Sequence, residues 1–270
     1  MTTRQRVILI TGASSGIGQL CATLLHQRGY RVYGTSRRAA VSAPYPMLEM
    51  NVDEDDSVQR GIERIVSETG RLDGVVNNAG YSLVGAVEET SIEEAKAHFE
   101  TNFFGALRVC RAALPVMRQQ RRGHIVNISS LGGEIGLPFQ GIYSATKFAL
   151  EGMTEALRLE VRPFGIHAVL IQPGDCATGL TASRRSTAES LNGTAYQPQF
   201  SATVKRIQQD EARGGSPIAV AQLLDRILAA RSPKPRYRVG PFIEQLAVIA
   251  KPNLPGKVFD WLMRQFYALP

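Results

Sequence analysis

At 270 residues the chain can bury the core of one large domain, and two compact domains are allowed but not required. Hydrophobic residues at 44% and charged residues at 20% give a globular balance that excludes a long disordered tract. The formal charge of +7 is largely arginine and spread along the sequence; with no zinc-finger spacing and no base-reading module, it suits a small polyanion such as a phosphorylated cofactor rather than nucleic acid.

In chain order, "RVILIT" (6–11) is a short apolar run ending in a glycine-rich turn and is expected to be a buried strand. Residues 16–29 follow as a helix closed by Gly29, with Leu20, Leu24 and Leu25 on its apolar side. "RVYGTS" (31–36) is the second strand, "PMLEMNV" (46–52) a weaker third, and 56–69 a helix that Gly70 stops. "LDGVVNNAG" (72–80) is a strand running into a turn. A long helical tract covers Ile92 to Gln119, with a kink expected at Pro115. "HIVNISS" (124–130) is a strand, 143–161 a helix that ends before Pro163, and "IHAVLIQ" (166–172) another strand. Strands apolar on both faces and separated by helices predict an α/β fold, a doubly wound parallel sheet in a single domain. Beyond Pro173 the rhythm loosens. Residues 175–215, with little secondary-structure signal in 186–203, lie past a strand end where ligands bind and are expected to form a substrate lid. "PKPRYRVGP" (233–241) offers a last strand, and 241–270 a helical extension ending in an amphipathic helix over 254–267.

Cys21, Cys110 and Cys176 form no CxxC, and buried free thiols in a reducing, cytoplasmic setting are expected. The four histidines share no ligand spacing, so no metal is expected. No signal peptide and no membrane-spanning run are expected.

"TGASSGIG" (11–18) joins the first strand to the first helix. Gly12 permits the tight turn, Gly16 lets backbone approach a pyrophosphate, and Gly18 allows close helix packing. With Ser14, Ser15 and Ile17 these residues are the phosphate-binding candidates. An NAD site usually places a carboxylate at the end of the second strand. Here Ser36 stands in that place, followed by Arg37 and Arg38. A guanidinium accepts a 2′-phosphate that a carboxylate would repel, so NADP(H) is expected, with Arg37 the main contact and Arg38 closer to plain surface charge.

"YSATK" (143–147) sets Tyr143 and Lys147 four residues apart on one helical face. The preceding strand ends in Ser129-Ser130, and Asn102 lies in the long helix before it. With these motifs in order, the chain resembles the short-chain dehydrogenase/reductase family, NADP-using type, through "TGASSGIG", "NNAG" (77–80), "NFFG" (102–105), "ISS" (128–130), "YSATK" and "PGDCAT" (173–178). Residues 136–174 resemble the branch that includes 17β-hydroxysteroid and retinol dehydrogenases.

The resemblance implies a hydride transfer between nicotinamide and a carbonyl or carbinol carbon. In it Tyr143 is the general acid or base, Lys147 favours the phenolate and holds the ribose, Ser130 bonds the substrate oxygen, and Asn102 fixes a water. It also implies that Asn78, Ala79 and Gly80 form a wall for the adenosine and ribose, with Asn77 at the sheet centre. Pro173 and Gly174 then shape the nicotinamide edge, and Thr178 bonds the carboxamide. Asn51-Val52 stands where the family commonly has Asp-Val, which leaves the adenine an uncharged acceptor.

The segments 179–215 and "PFIEQLAVIA" (241–250) are expected to frame an apolar entrance, for a steroid, retinoid or lipid-like ketone or alcohol. A 3-oxoacyl-carrier-protein reductase, with Arg184 and Arg185 as its basic patch, is the alternative. A non-redox epimerase or dehydratase and a cofactor-sensing protein are others. For Trp261, Leu262, Phe266 and Tyr267, core packing is expected, with a partner subunit or a peripheral membrane surface left open. Helices 92–119 and 143–161 are expected to join subunits in a homodimer or homotetramer.

Overall fold

The computed structural model describes residues 5–38, 42–176 and 184–270. Nine strands appear among them: β1 (Val7–Ile10), β2 (Arg31–Ser36), β3 (Met47–Glu49), β4 (Gly74–Asn77), β5 (Leu83–Val84), β6 (Gly123–Ile128), β7 (Ile166–Pro173), β8 (Arg185–Ser186) and β9 (Arg236–Val239). Seven form one parallel sheet in the order β3-β2-β1-β4-β6-β7-β9, and β5 pairs with β8 as a separate parallel ribbon. The order reverses at β1, so β1 and β4 open a crevice at their carboxyl ends, where such sheets bind ligands.

Alternation along the strands fills both faces. Ile8, Ile10, Val76, Val126, Val169 and Ile171 pack on α1 (Gly16–Gln27) and on a helix over Ile218–Ala229. Val7, Leu9, Val75, Ile125 and Ala168 face α2 (Asp55–Thr69) and the side of the long helices. On α1 the core positions are Ile17, Cys21, Ala22 and Leu25, with Leu24 packed at the edge; Leu20, expected on that side, is only half-buried. Gly70, with φ +70°, ends α2 in the left-handed conformation that suits glycine.

The expected single tract from Ile92 is three pieces: α3 (Ile92–Phe99), a π-helical turn (Glu100–Phe104) and α4 (Gly105–Gln120). Ser91 starts α3 with a reciprocal capping box to Glu94. The break from regular α geometry therefore falls at Asn102, and Pro115 sits inside α4. Next, α5 (Gly141–Val161) starts two residues before the expected helix.

The segment expected to form a helical lid, despite its weak secondary-structure signal, is ordered where it is described. It holds β8 and α6 (Gln197–Arg213), a polar helix anchored by Phe200, Thr203 and Ile207. Then come α7 (Ile218–Ala229), α8 (Phe242–Ala250) and α9 (Gly256–Phe266). Helices α8 and α9 cover Leu131 and Ile135 through Val248, Phe259 and Met263. Core packing of α9 is only partly met: Tyr267 is buried, but Trp261 is 52% and Leu262 43% exposed, because the inward face is already supplied by Phe259 and Met263. All three cysteines are buried free thiols. Among the described residues no helix is long and apolar enough to cross a membrane.

Candidate active site

A cavity of about 780 Å³ runs along the carboxyl ends of the strands, from the glycine turn to the C-terminal helices. At one end, Thr11 Oγ1 accepts from the amides of Asn78 and Ala79 at 3.0 Å each, which clamps the end of β4 to the end of β1. Asn78 Nδ2 donates to the carbonyls of Thr11 and Gly12 at 3.0 and 3.1 Å. Gly12 has φ +64°, and a Cβ there would stand 2.9 Å from Ala79 Cα. A Cβ on Gly18 would collide with the Gly12 carbonyl oxygen.

Gly16, at φ +57°, opens α1 with free space where a side chain would stand. Ser15 is extended and its hydroxyl caps none of the first-turn amides, which leaves those N–H groups for an anion. The donor set and the space fit a pyrophosphate.

The lining contains Gly12, Ser14, Ser15, Gly16, Ile17, Ser36, Arg37, Asn51, Val52, Asn78, Ala79, Gly80, Tyr143, Lys147, Pro173 and Gly174, all named from the sequence. Two of the expected cofactor contacts do not reach the cavity. Gly18 stands behind Gly12 as a packing position, and Arg38 is exposed outside the lining, with its carbonyl accepting from Ser36 Oγ. Thr178 lies outside the described residues. The Asn51 carboxamide is partly used within its own turn: Nδ2 donates to Glu54 at 2.8 Å, and Oδ1 accepts from the Asp53 amide at 3.2 Å. Below the wall, Asn77 donates to Asn127 at 2.8 Å and Asn127 to Thr154 at 2.7 Å, a buried polar chain across the sheet centre.

Midway along the cavity, Ser130, Tyr143 and Lys147 meet. Ser130 lies two residues past β6 and accepts the Gly132 amide at 3.0 Å, which fixes its oxygen and leaves its proton available. Burial pushes the Tyr143 phenol up to about 12; a hydrogen bond with Ser130 opposes this, while Asp175 and Glu211 add to it. Lys147 Nζ donates to the Ile128 carbonyl at 2.9 Å and stands 5.8 Å from the centre of the Tyr143 ring. Burial draws this ammonium down to about 8, against the pull of Glu151. Burial thus dominates at the Tyr143 phenol, and its neutral form, a proton donor, is favoured.

Asn102 does not itself line the cavity. Its Oδ1 accepts the Tyr81 amide at 3.1 Å and its Nδ2 donates to the Tyr81 carbonyl at 3.0 Å, so the side chain braces the wall at Gly80-Tyr81. Its main chain lies in the π-helical turn. His98, one turn earlier and fully buried, is held neutral by burial and by the charges of Lys147 and Arg185, its pKa down at about 3. Its ring stands edge-on to Tyr81, 4.6 Å away.

The far end is apolar, with Leu131, Ile135, Ile207, Leu246, Phe259 and Met263 among its walls, and residues of 241–250 frame it as expected. Three carboxylates, Asp175, Glu211 and Glu244, also line it. None was assigned a role from the sequence, although Asp175 sits inside "PGDCAT" and Glu244 inside "PFIEQLAVIA"; the sole signal was an acidic residue within an otherwise apolar stretch. Arg184 is paired with Glu211, and Arg185 lies over the Tyr81 ring, 4.4 Å from its centre. Among the described residues there is no cluster suited to a metal ion.

Residues 6–189 match the family described as short chain dehydrogenase. A 3-ketodihydrosphingosine reductase of Bacteroides thetaiotaomicron is 43% identical over 265 residues, covering 98% of each chain. Retinol dehydrogenase 8 of Bos taurus is 32% identical, with 96% of this chain and 89% of the relative covered. A crystal structure of a short-chain dehydrogenase from Streptomyces avermitilis aligns with a TM-score of 0.82 at 32% identity, over 92% of this chain and 93% of that one.

Proposed function

The chain belongs to the short-chain dehydrogenase family of oxidoreductases, and from that premise we propose that it interconverts a ketone and a secondary alcohol on an apolar, lipid-like substrate with NADP(H). The observation that carries this reading is the meeting of Ser130, Tyr143 and Lys147 in one cavity whose two ends are a glycine turn and an apolar chamber. Bound at the turn, the nicotinamide cofactor would supply or accept the hydride. Gly12 to Ile17 hold its pyrophosphate through backbone N–H groups, and Asn78 to Gly80 with Val52 pack along its adenosine half. Lys147 orients the nicotinamide ribose, while Pro173 and Gly174 shape the nicotinamide edge.

In the reducing direction Ser130 donates a hydrogen bond to the carbonyl oxygen, and Tyr143 gives that oxygen its phenolic proton. Burial keeps Tyr143 a neutral phenol, the form that step consumes. Arg37, in the cavity lining beside Ser36, supports NADP(H), because no carboxylate occupies the end of β2.

The length and apolarity of the chamber support a lipid-like ketone, and so does the name of the 43% identical reductase. The described part of 175–215 bounds the chamber through Asp175, Arg184, Ile207 and Glu211 and acts as its lid. The acyl-carrier alternative is weakened, since the Arg184 side chain is buried and paired through Nη2 with Glu211 and only Arg185, over the Tyr81 ring, remains exposed. Exposed Ile92, Phe104, Phe148 and Leu159 on the two long helical tracts support a homodimer or homotetramer.

The test is Tyr143→Phe. It should bind NADPH as the parent does and lose about 10²–10⁴-fold in kcat on a long-chain ketone. Retention of turnover would end the reading.

A further inference from the structure

The last two helices are apolar on sides that nothing covers. On α8, Phe242, Leu246 and Ile249 recur at i, i+4 and i+7 with Ile243 beside them, and all four are exposed, Phe242 at 77% and Ile243 at 63%. The inward side is apolar as well: Val248 packs on Leu131 and Ile135. The one charge of the helix, Glu244, turns in to accept the Asp175 amide at 2.9 Å. A helix that is apolar all round belongs where both faces are covered. On α9, Val258, Trp261 and Leu262 are exposed while Phe259 and Met263 pack inward. The two helices carry seven of the fifteen large apolar side chains exposed among the described residues, so this is a patch and not scattered exposure.

Two observations say what covers it. Ile243, Leu246 and Leu262 are exposed and also line the cavity, so they form the rim of its apolar end. A second copy seated on the patch would shut that mouth, and the subunit contacts proposed above draw on other helices. A lipid bilayer would instead meet the mouth with a phase in which an apolar substrate dissolves. The third side of α9 is polar: Lys257, Asp260 and Arg264 share it, all exposed. Long cationic side chains beside an aromatic and aliphatic face suit a helix that lies in the plane of a membrane surface, where tryptophan is enriched. Neither helix is long enough to cross.

Resting on the reading of the apolar chamber as the substrate end, we infer that the outward face of α8 and α9 docks on a lipid bilayer and opens the chamber towards the acyl chains. Phe242, Ile249 and Trp261 are then the anchors, and Ile243, Leu246 and Leu262 the doorway.

Trp261 is the chain's only tryptophan, so its fluorescence reports from the patch itself. The full chain, with NADP+ present, is mixed with vesicles of equal parts phosphatidylcholine and phosphatidylglycerol, the anionic lipid being chosen for a chain of net charge +7. Emission should shift to the blue and be quenched by phosphatidylcholine brominated in its acyl chains. An unshifted, unquenched spectrum would overturn the inference.

Flotation of the same vesicles then compares the parent with the double variant Phe242→Ser, Ile249→Ser, whose two positions lie outside the cavity lining. The variant should partition about tenfold or more weakly. Equal flotation would overturn the inference, and so would a parent dimer that the double variant splits into monomers in vesicle-free buffer, because the patch would then be a subunit contact. The fluorescence arm uses the parent alone and does not depend on the variant folding. None of these readouts uses turnover, so the reductase reading stands or falls separately, by Tyr143→Phe.

Discussion

The two ends of the cavity are built by different means. The cofactor end is shaped by main chain: Gly12 and Gly16 at positive φ, the opening of α1, and a clamp from Thr11 to the amides of Asn78 and Ala79. The substrate end is shaped by side chains from β7, α6, α8 and α9, segments far apart in sequence. A backbone-shaped site tolerates few residue types at each position, so it leaves a compact local pattern. A side-chain-shaped site can be filled in many ways and leaves none.

That contrast explains what could be read in advance. The glycine turn, the βα rhythm and the Tyr143–Lys147 pair are local, and the fold places them as the sequence indicates. Helix α6 was hidden by its Ser, Thr and Gln content, because only Phe200, Thr203 and Ile207 of its residues are buried. The spacing of Val220, Leu223, Leu224 and Ile227 in α7 did carry a helical signal. Strands β5 and β8, two residues each, are too short for alternation to show. The π-helical turn at Asn102 has no composition of its own: it is the side chain's bonds to Tyr81 that identify its use. Trp261 and Leu262 were expected in the core and are exposed, since amphipathic spacing says which residues share a face but not which face is covered.

The largest effect is expected at Gly18. If the cofactor end is truly set by backbone contact, Gly18→Val should abolish NADPH binding, because its Cβ has no room beside the Gly12 carbonyl and the Asn78 amide. Tm and NADPH titration, read together, separate a folded protein with a spoiled turn from an unfolded one. Normal NADPH affinity in the variant would break the comparison, since the turn would then have slack.

Arg37 sharpens the contrast from the other side, as the place where the cofactor end relies on a side chain. Arg37→Ala should lower kcat/KM with NADPH by about tenfold or more and leave NADH little changed. Arg38→Ala, outside the cavity lining, should leave the NADPH/NADH ratio as it is. An unchanged ratio in Arg37→Ala would remove the argument for a phosphorylated cofactor.

The smallest effect falls on Lys147, where the two ends meet. Its ammonium is buried and its pKa is lowered in the folded protein to about 8, from 10.5. Between those values the unfolded chain binds the proton and the folded chain has released it. Stability must therefore rise with pH across that window, by at most about 1.4 kcal/mol per pH unit for one group. Below pH 8 both states hold the proton and the burial penalty is present in full. Tyr143 acts in the opposite sense, but only above its ordinary value of 10.0, because its folded pKa is the higher one. Cys21, Cys110 and Cys176, all raised by burial from 9.0, begin to act in that opposite sense near pH 9, so it is the difference between parent and variant from pH 8 to 9.5 that isolates the lysine. Urea melts of the parent and of Lys147→Met across that range should converge: the variant starts more stable and the difference shrinks as pH rises. A constant difference would mean that the ammonium is not held at a cost, and that the Ile128 carbonyl satisfies it as fully as water does.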